Sequence, residues 1–190
     1  MELVMDVDNQ NCLFVRFNWD HTALPYDASM PDATFKDLHL QPTPAFPVGR
    51  KGLTLVSYWE QMQRMRRYIG MLIMDGDVAL DPLDVHIMRI YISESPEAVI
   101  AAPIRLWYEG EWFWSHRGAA NLLNDSEPDE IHFFSFGFTY LPAALIEAAS
   151  DAGIHAEAYP YVDEFVSKLA VKMGLEIKLA EGCTPKHMHF

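Results

Sequence analysis

Cysteine is nearly absent. Cys12 and Cys183 are the only two in 190 residues, and they stand near opposite ends of the chain. They form no Cys-x-x-Cys pair, which argues against a disulfide framework or a dithiol redox motif. Glycine never clusters: neither GxGxxG nor GxxxxGK[ST] occurs, so the two commonest glycine-rich phosphate cradles are missing. Phe133-Phe134-Ser135-Phe136-Gly137 comes nearest to GxSxG but lacks the first glycine. That disfavours an α/β-hydrolase, and Ser135 reads as a strand residue. No apolar run approaches the roughly 20 residues of a membrane span. The opening Met-Glu-Leu-Val-Met-Asp carries acids where a signal peptide would carry Lys or Arg, so a cytoplasmic location away from membranes is expected.

Positive charge is the scarcest commodity. The chain has 14 Lys and Arg against 27 Asp and Glu, a formal net charge of −13. Residues 118–167 contain neither Lys nor Arg, while Asp125, Glu127, Asp129 and Glu130 stand almost side by side. Such a field repels a phosphate backbone, so direct nucleic-acid binding is not expected, and a basic protein partner is the natural complement. Solubility alone is the plainer use of the same charge. The basic exception is Arg64, Arg66 and Arg67, which read as a solvated helix face.

What is present describes an α+β chain. Alternation over 3–7 and 12–17 around the turn-rich Asp8-Asn9-Gln10-Asn11 predicts an opening hairpin. Five prolines between Pro25 and Pro47 make 22–50 a loop or arm. Ser57-Tyr58-Trp59-Glu60 reads as a capping box for a helix that runs through Met62, Met65, Ile69 and Leu72. Val85–Ile92, rich in β-branched residues, reads as a strand. Residues 104–115 form a hairpin if Glu109-Gly110 is its turn, which sets Arg105 opposite Trp114 and Trp107 opposite Trp112. That face is either covered by a helix, the preferred reading, or exposed as a recognition surface rich in Trp and Arg. Ile131–Tyr140 reads as a central strand, 142–152 as a short helix and 160–173 as a clearer one, ended by Gly174. Leu175–Leu179 closes the chain as a strand. The fold expected is a mainly antiparallel sheet with about three helices packed on it, in a single domain over residues 1–190.

Three clusters carry candidate chemistry. Asp75-Gly76-Asp77 through Asp84 places four carboxylates together. The calcium-loop pattern fails because Leu80 and His86 stand where Gly and Glu are needed, so a polar turn between a helix and a strand is expected. Cys183, His187 and His189 could supply three of the four ligands zinc takes, although a frayed terminus with incidental histidines is the plainer reading. Glu109, Glu111 and His116 could perform general acid–base work if the fold brings them together. No metal or other cofactor follows from any of the three.

The leading expectation is a non-enzymatic acidic protein that engages and blocks a basic, nucleic-acid-binding or nuclease-type partner, as an immunity protein or a phage antagonist of a defence complex must. Asp125, Glu127, Asp129 and Glu130 would occupy the partner's phosphate sites, and Arg105, Trp107, Trp112 and Trp114 would anchor it. The first alternative is a small enzyme using the His/Glu set or a C-terminal His/Cys metal site. The second is an assembly subunit that pairs with its own copies.

Overall fold

The computed structural model describes residues 4–7, 10–17, 55–56, 59–60, 68–108, 111–114, 133–154 and 162–187. The proline-rich 22–50 stretch and Asp125, Glu127, Asp129 and Glu130 lie outside them. The described elements are β1 (Val4–Val7), β2 (Gln10–Phe17), β3 (Gly70–Asp75), β4 (Val78–Ala79), α1 (Pro82–Glu94), β5 (Val99–Ala101), β6 (Arg105–Tyr108), β7 (Glu111–Trp114), β8 (Phe138–Pro142), α2 (Ala143–Asp151), α3 (Val162–Met173), β9 (Ile177–Leu179) and β10 (Lys186–His187).

Six strands form one sheet in the order β1-β2-β3-β8-β5-β9. β1 and β2 are antiparallel, as the opening hairpin requires. β2 and β3 are parallel, β8 runs antiparallel to both β3 and β5, and β5 and β9 are parallel. The sheet is therefore mixed, which corrects the expectation of a mainly antiparallel one. A tight turn reverses a strand, but a long connection can return the chain in its original direction. Residues 18–69 and 102–176 are such connections.

β3 explains why the sheet is covered on both faces. Leu72 and Met74 join Cys12, Phe14, Ile100, Phe138 and Tyr140 on one side, beneath Val85, Met88 and Ile92 of α1. Met71 and Ile73 face the other way, toward Leu145, Ile146 and Ala149 of α2 and Val162, Val166 and Ala170 of α3. Alternate side chains of a strand point to opposite faces, so a strand buried on both must be apolar throughout. No helix among the described residues is long and apolar enough to cross a membrane.

Three sequence readings are overturned by the local structure. Val85–Ile92 is helical, within α1. Asp81 caps it, accepting hydrogen bonds from the N–H groups of Leu83 and Asp84, while Asp84 reaches back to the Asp81 N–H and Pro82 opens the first turn. Asp84, Val85, Met88 and Ile92 are then buried at helical spacing; packing overrides the β preference of the branched residues. The helix expected through Leu72 gives way to β3 at Gly70. A Cβ there would sit 2.4 Å from the Leu141 carbonyl oxygen and 2.6 Å from the Tyr140 ring, so only glycine lets the two strands approach. Leu55 and Val56 are helical, ahead of the expected start, and Ser57 lies outside the described residues.

The strand expected from Ile131 starts instead at Phe138. Phe134 and Phe136 are fully buried, but their main chain is bonded to helix side chains. The Phe134 N–H donates to Ser167 Oγ at 3.1 Å and the Phe136 N–H to Asp163 Oδ2 at 2.8 Å. A segment satisfied by α3 needs no strand partner. Helices α2 and α3 follow the expected ranges closely, and Gly153 and Gly174 beyond them adopt positive φ of 78° and 70°, a backbone state that glycine enters without steric cost.

Candidate functional site

The pairing scheme makes β2, β3, β5 and β9 run in one direction. Their carboxyl ends, Phe17, Asp75, Ala101 and Leu179, lie at one edge, because Phe17 is paired with Asp75, and Ala101 with both Thr139 and Leu179. Chains leaving neighbouring strands at such an edge diverge and leave a crevice, the usual ligand position in open sheets that contain parallel strands. Three excursions from this edge meet again. β3 turns through Gly76-Asp77 into β4, β5 continues through Pro103 and Ile104 into the β6–β7 hairpin, and β9 continues through Cys183 into β10.

β10 pairs antiparallel with β4, with His187 opposite Val78 and Lys186 opposite Ala79. This brings His187 Nε2 to 3.3 Å from Asp77 Oδ2, with side-chain exposures of 18% and 16%. The other carboxylate oxygen, Asp77 Oδ1, is buried and makes no hydrogen bond among the described residues. Beside His187 opens a cleft of about 330 Å³, lined by Arg105 and Trp114 from the hairpin and by Thr184, Pro185 and Lys186 from the terminal segment. Arg105 and Trp114 are cross-strand partners, and the guanidinium carbon stands 5.5 Å from the Trp114 ring centroid, within cation–π range.

The terminal segment is held from beneath by the first turn of α1. Asp84 Oδ1 accepts from the Thr184 N–H at 2.7 Å, and the Asp84 carbonyl accepts from the Cys183 thiol at 3.3 Å. Burial, chiefly, raises the Asp84 carboxyl above its ordinary range, opposed by the backbone N–H groups that bond it. Burial also pushes the Cys183 thiol up to about 12, helped by the nearby Asp84 and Asp81 carboxylates. In this setting the protonated thiol serves as a packing group and a hydrogen-bond donor. Of the Cys183, His187 and His189 set, Cys183 is buried with its thiol donating to the Asp84 carbonyl, His187 stands beside Asp77, and His189 lies outside the described residues.

The remaining candidates are separated by the fold. The Asp75–Asp84 stretch is a strand end, a hairpin turn, β4 and a helix cap, reversing the expected order of helix and strand. Asp81 and Asp84 cap the helix, Asp84 also holding Thr184 with its second oxygen, and Asp77 turns toward His187. The expected register of the β6–β7 hairpin is observed, with Arg105 opposite Trp114 and Trp107 opposite Trp112. At its Arg105–Trp114 end both side chains are exposed and face the cleft, in place of the preferred covering helix. Glu111 opens β7 opposite Tyr108, while Glu109 and His116 lie outside the described residues. No three His, Cys, Asp or Glu side chains among the described residues converge as a metal cluster. The sequence did not reveal the Asp77–His187 pair because a strand pairing between β4 and β10, and no local spacing, creates it. The usable signal was polar residues at the carboxyl end of an apolar strand, Asp75-Gly76-Asp77 after Met71–Met74.

No family model matches the chain, and no curated protein matches it. Among solved structures, the crystal structure of A197 from STIV is similar, with a TM-score of 0.51 at 13% sequence identity, covering 92% of this chain and 81% of that one. At that identity the likeness speaks to the fold alone.

Proposed function

We propose that the cleft binds a phosphate-bearing ligand with a flat ring, of the nucleoside diphosphate class, through a divalent cation shared by Asp77 and His187. The observation that carries this reading is the 3.3 Å approach of Asp77 Oδ2 to Nε2 of His187, which itself lines the cleft. Two neighbouring ligands of an octahedral ion, each about 2.1 Å from it, stand about 3.0 Å apart, so the two atoms are spaced to share one cation after a small adjustment. Mg²⁺ and Mn²⁺ are commonly held by one or two protein groups, with water and phosphate oxygens filling the other positions. Arg105 and Lys186 line the cleft next to the pair, and with the cation they outweigh the charge of Asp77. Trp114 offers ring surface for stacking. With a divalent cation, Arg105 and Lys186 would offset the negative charge that develops on a departing phosphate oxygen, so the activity proposed is metal-assisted hydrolysis: water attacks the terminal phosphorus, the anhydride P–O bond breaks, and inorganic phosphate and the nucleoside monophosphate are released. This is the small-enzyme reading, with Asp77 taking the place given to Cys183.

The test is Mn²⁺ binding followed by electron paramagnetic resonance, with and without a nucleoside diphosphate. Cation and nucleotide should each tighten the other by the same factor, since coupling is reciprocal. Asp77→Asn should weaken Mn²⁺ about tenfold or more, in the range seen when metal-site partners are lost. No Mn²⁺ binding at millimolar concentration, with or without nucleotide, would refute the reading.

The charge of −13 supports a second reading: an acidic cytoplasmic inhibitor whose Asp125, Glu127, Asp129 and Glu130 engage a basic protein, with the Arg105, Trp107, Trp112 and Trp114 face as anchor. Reversing those four acids to lysine should weaken a salt-sensitive complex recovered by pull-down. A complex that survives both reversal and high salt would eliminate it.

A further inference from the structure

The capping box of α1 does more than a cap requires. A reciprocal cap needs one carboxylate oxygen at the third helical position to accept from the N-cap N–H, and Asp84 Oδ2 does so with Asp81 at 2.9 Å. Its second oxygen reaches across the fold to the Thr184 N–H at 2.7 Å, and the same residue's carbonyl receives the Cys183 thiol at 3.3 Å. Asp84 is 2% exposed, so its own side of both bonds is shielded from bulk water. Thr184 begins the wall of the cleft, and His187 follows three residues on in β10. Asp77, on the other side of the pair, belongs to the turn that leads into β4, and β4 is followed by the Asp81 cap. Both members of the pair are therefore referenced to one point, the first turn of α1.

We propose that Asp84 is a positioning residue for the cleft: by binding Thr184 it sets where His187 stands relative to Asp77, and so the readiness of the pair to share a cation. The cation part rests on the function proposed above; the placement of His187 does not. A glutamine or an asparagine would still cap the helix, because one oxygen suffices. Neither can accept from Asp81 and Thr184 together, since the amide nitrogen would present a donor to a donor.

The experiment follows the His187 ring Nε2 signal by nitrogen-15 NMR and, separately, Mn²⁺ affinity. Four proteins are compared: wild type, Asp84→Asn, Asp77→Asn and Ser167→Ala. Asp77→Asn marks the signal of a His187 without its carboxylate. Ser167→Ala removes buried hydrogen bonds on the α3 side of the sheet and controls for loss of stability alone. Asp84→Asn should move the His187 signal well toward the Asp77→Asn position and weaken Mn²⁺ about tenfold, while Ser167→Ala leaves both unchanged. A His187 signal in Asp84→Asn that coincides with wild type overturns the assignment, whether or not Mn²⁺ binds. Absence of Mn²⁺ binding in wild type refutes the cation reading alone, and the ring signal still decides Asp84. If Asp84→Asn fails to fold, Thr184→Pro deletes the same hydrogen bond from the donor side and leaves the helix cap intact; the same shift is expected, and its absence carries the same refutation.

Discussion

Ser167 of α3 is 1% exposed and fastens the segment before β8 to the helix. Its hydroxyl accepts from the Phe134 N–H at 3.1 Å and donates to the Phe134 carbonyl at 3.2 Å. Ser167→Ala removes one oxygen and strands both main-chain groups of Phe134, a residue that is itself fully buried. An orphaned buried polar group costs about 1–3 kcal/mol. Two such groups set an upper bound near 6 kcal/mol, but a water entering the vacated space or a small shift of the loop would recover part of it, so a loss of about 2 kcal/mol is expected. For a chain of this size that lowers Tm by about 4–8 °C. Urea unfolding should show a lower midpoint with an unchanged m value, the mark of altered stability with the same surface exposed. A loss below about 0.5 kcal/mol would mean that the Phe134 groups are satisfied elsewhere, and the account of why this segment is not a strand would fall with it.

Two further outcomes are expected. Gly137→Ala would place a Cβ 2.2 Å from Ile104 Cδ1, the buried residue just before β6; it should destabilise by about 1–3 kcal/mol through overpacking. Ile104→Val in the same chain should recover part of that loss, and strictly additive effects in the double-mutant cycle would disprove the contact. Cys12 and Cys183 are buried and their thiols are raised from 9.0 to about 12, so neither should react with iodoacetamide at pH 8 until the protein is unfolded. Because a raised pKa means that the folded state holds the proton longer, stability from both thiols is full below pH 9.0 and is lost as pH rises toward about 12. Alkylation of either cysteine in the native protein at the rate of a free peptide would contradict their placement.

The parts of the fold that were legible in the sequence are those governed by neighbours in the chain. A two-residue Glu-Gly spacer predicts one register for the strands on either side of it, and Arg105 indeed pairs with Trp114. Helices α2 and α3 stop where a glycine can take positive φ, at Gly153 and Gly174. Local cues also existed where the reading failed: Asp81-Pro82-Leu83-Asp84 is a helix start by the rule applied to Ser57, but the β-branched run behind it outweighed it. The strand directions had no local signature, since nothing in residues 18–69 states which way β3 returns beside β2. The candidate site shares that character. Asp77 follows the end of β3, His187 stands in β10, and Arg105 and Trp114 belong to a hairpin that leaves β5. Sequence alone determined the composition of this chain, its net charge, its hairpin register and its helix stops, because each depends on composition or on contacts a few residues apart. Tertiary structure alone decided that the sheet is mixed and that Asp77 meets His187, because those contacts form only when distant strands bury their apolar faces together and carry their polar ends to the same edge.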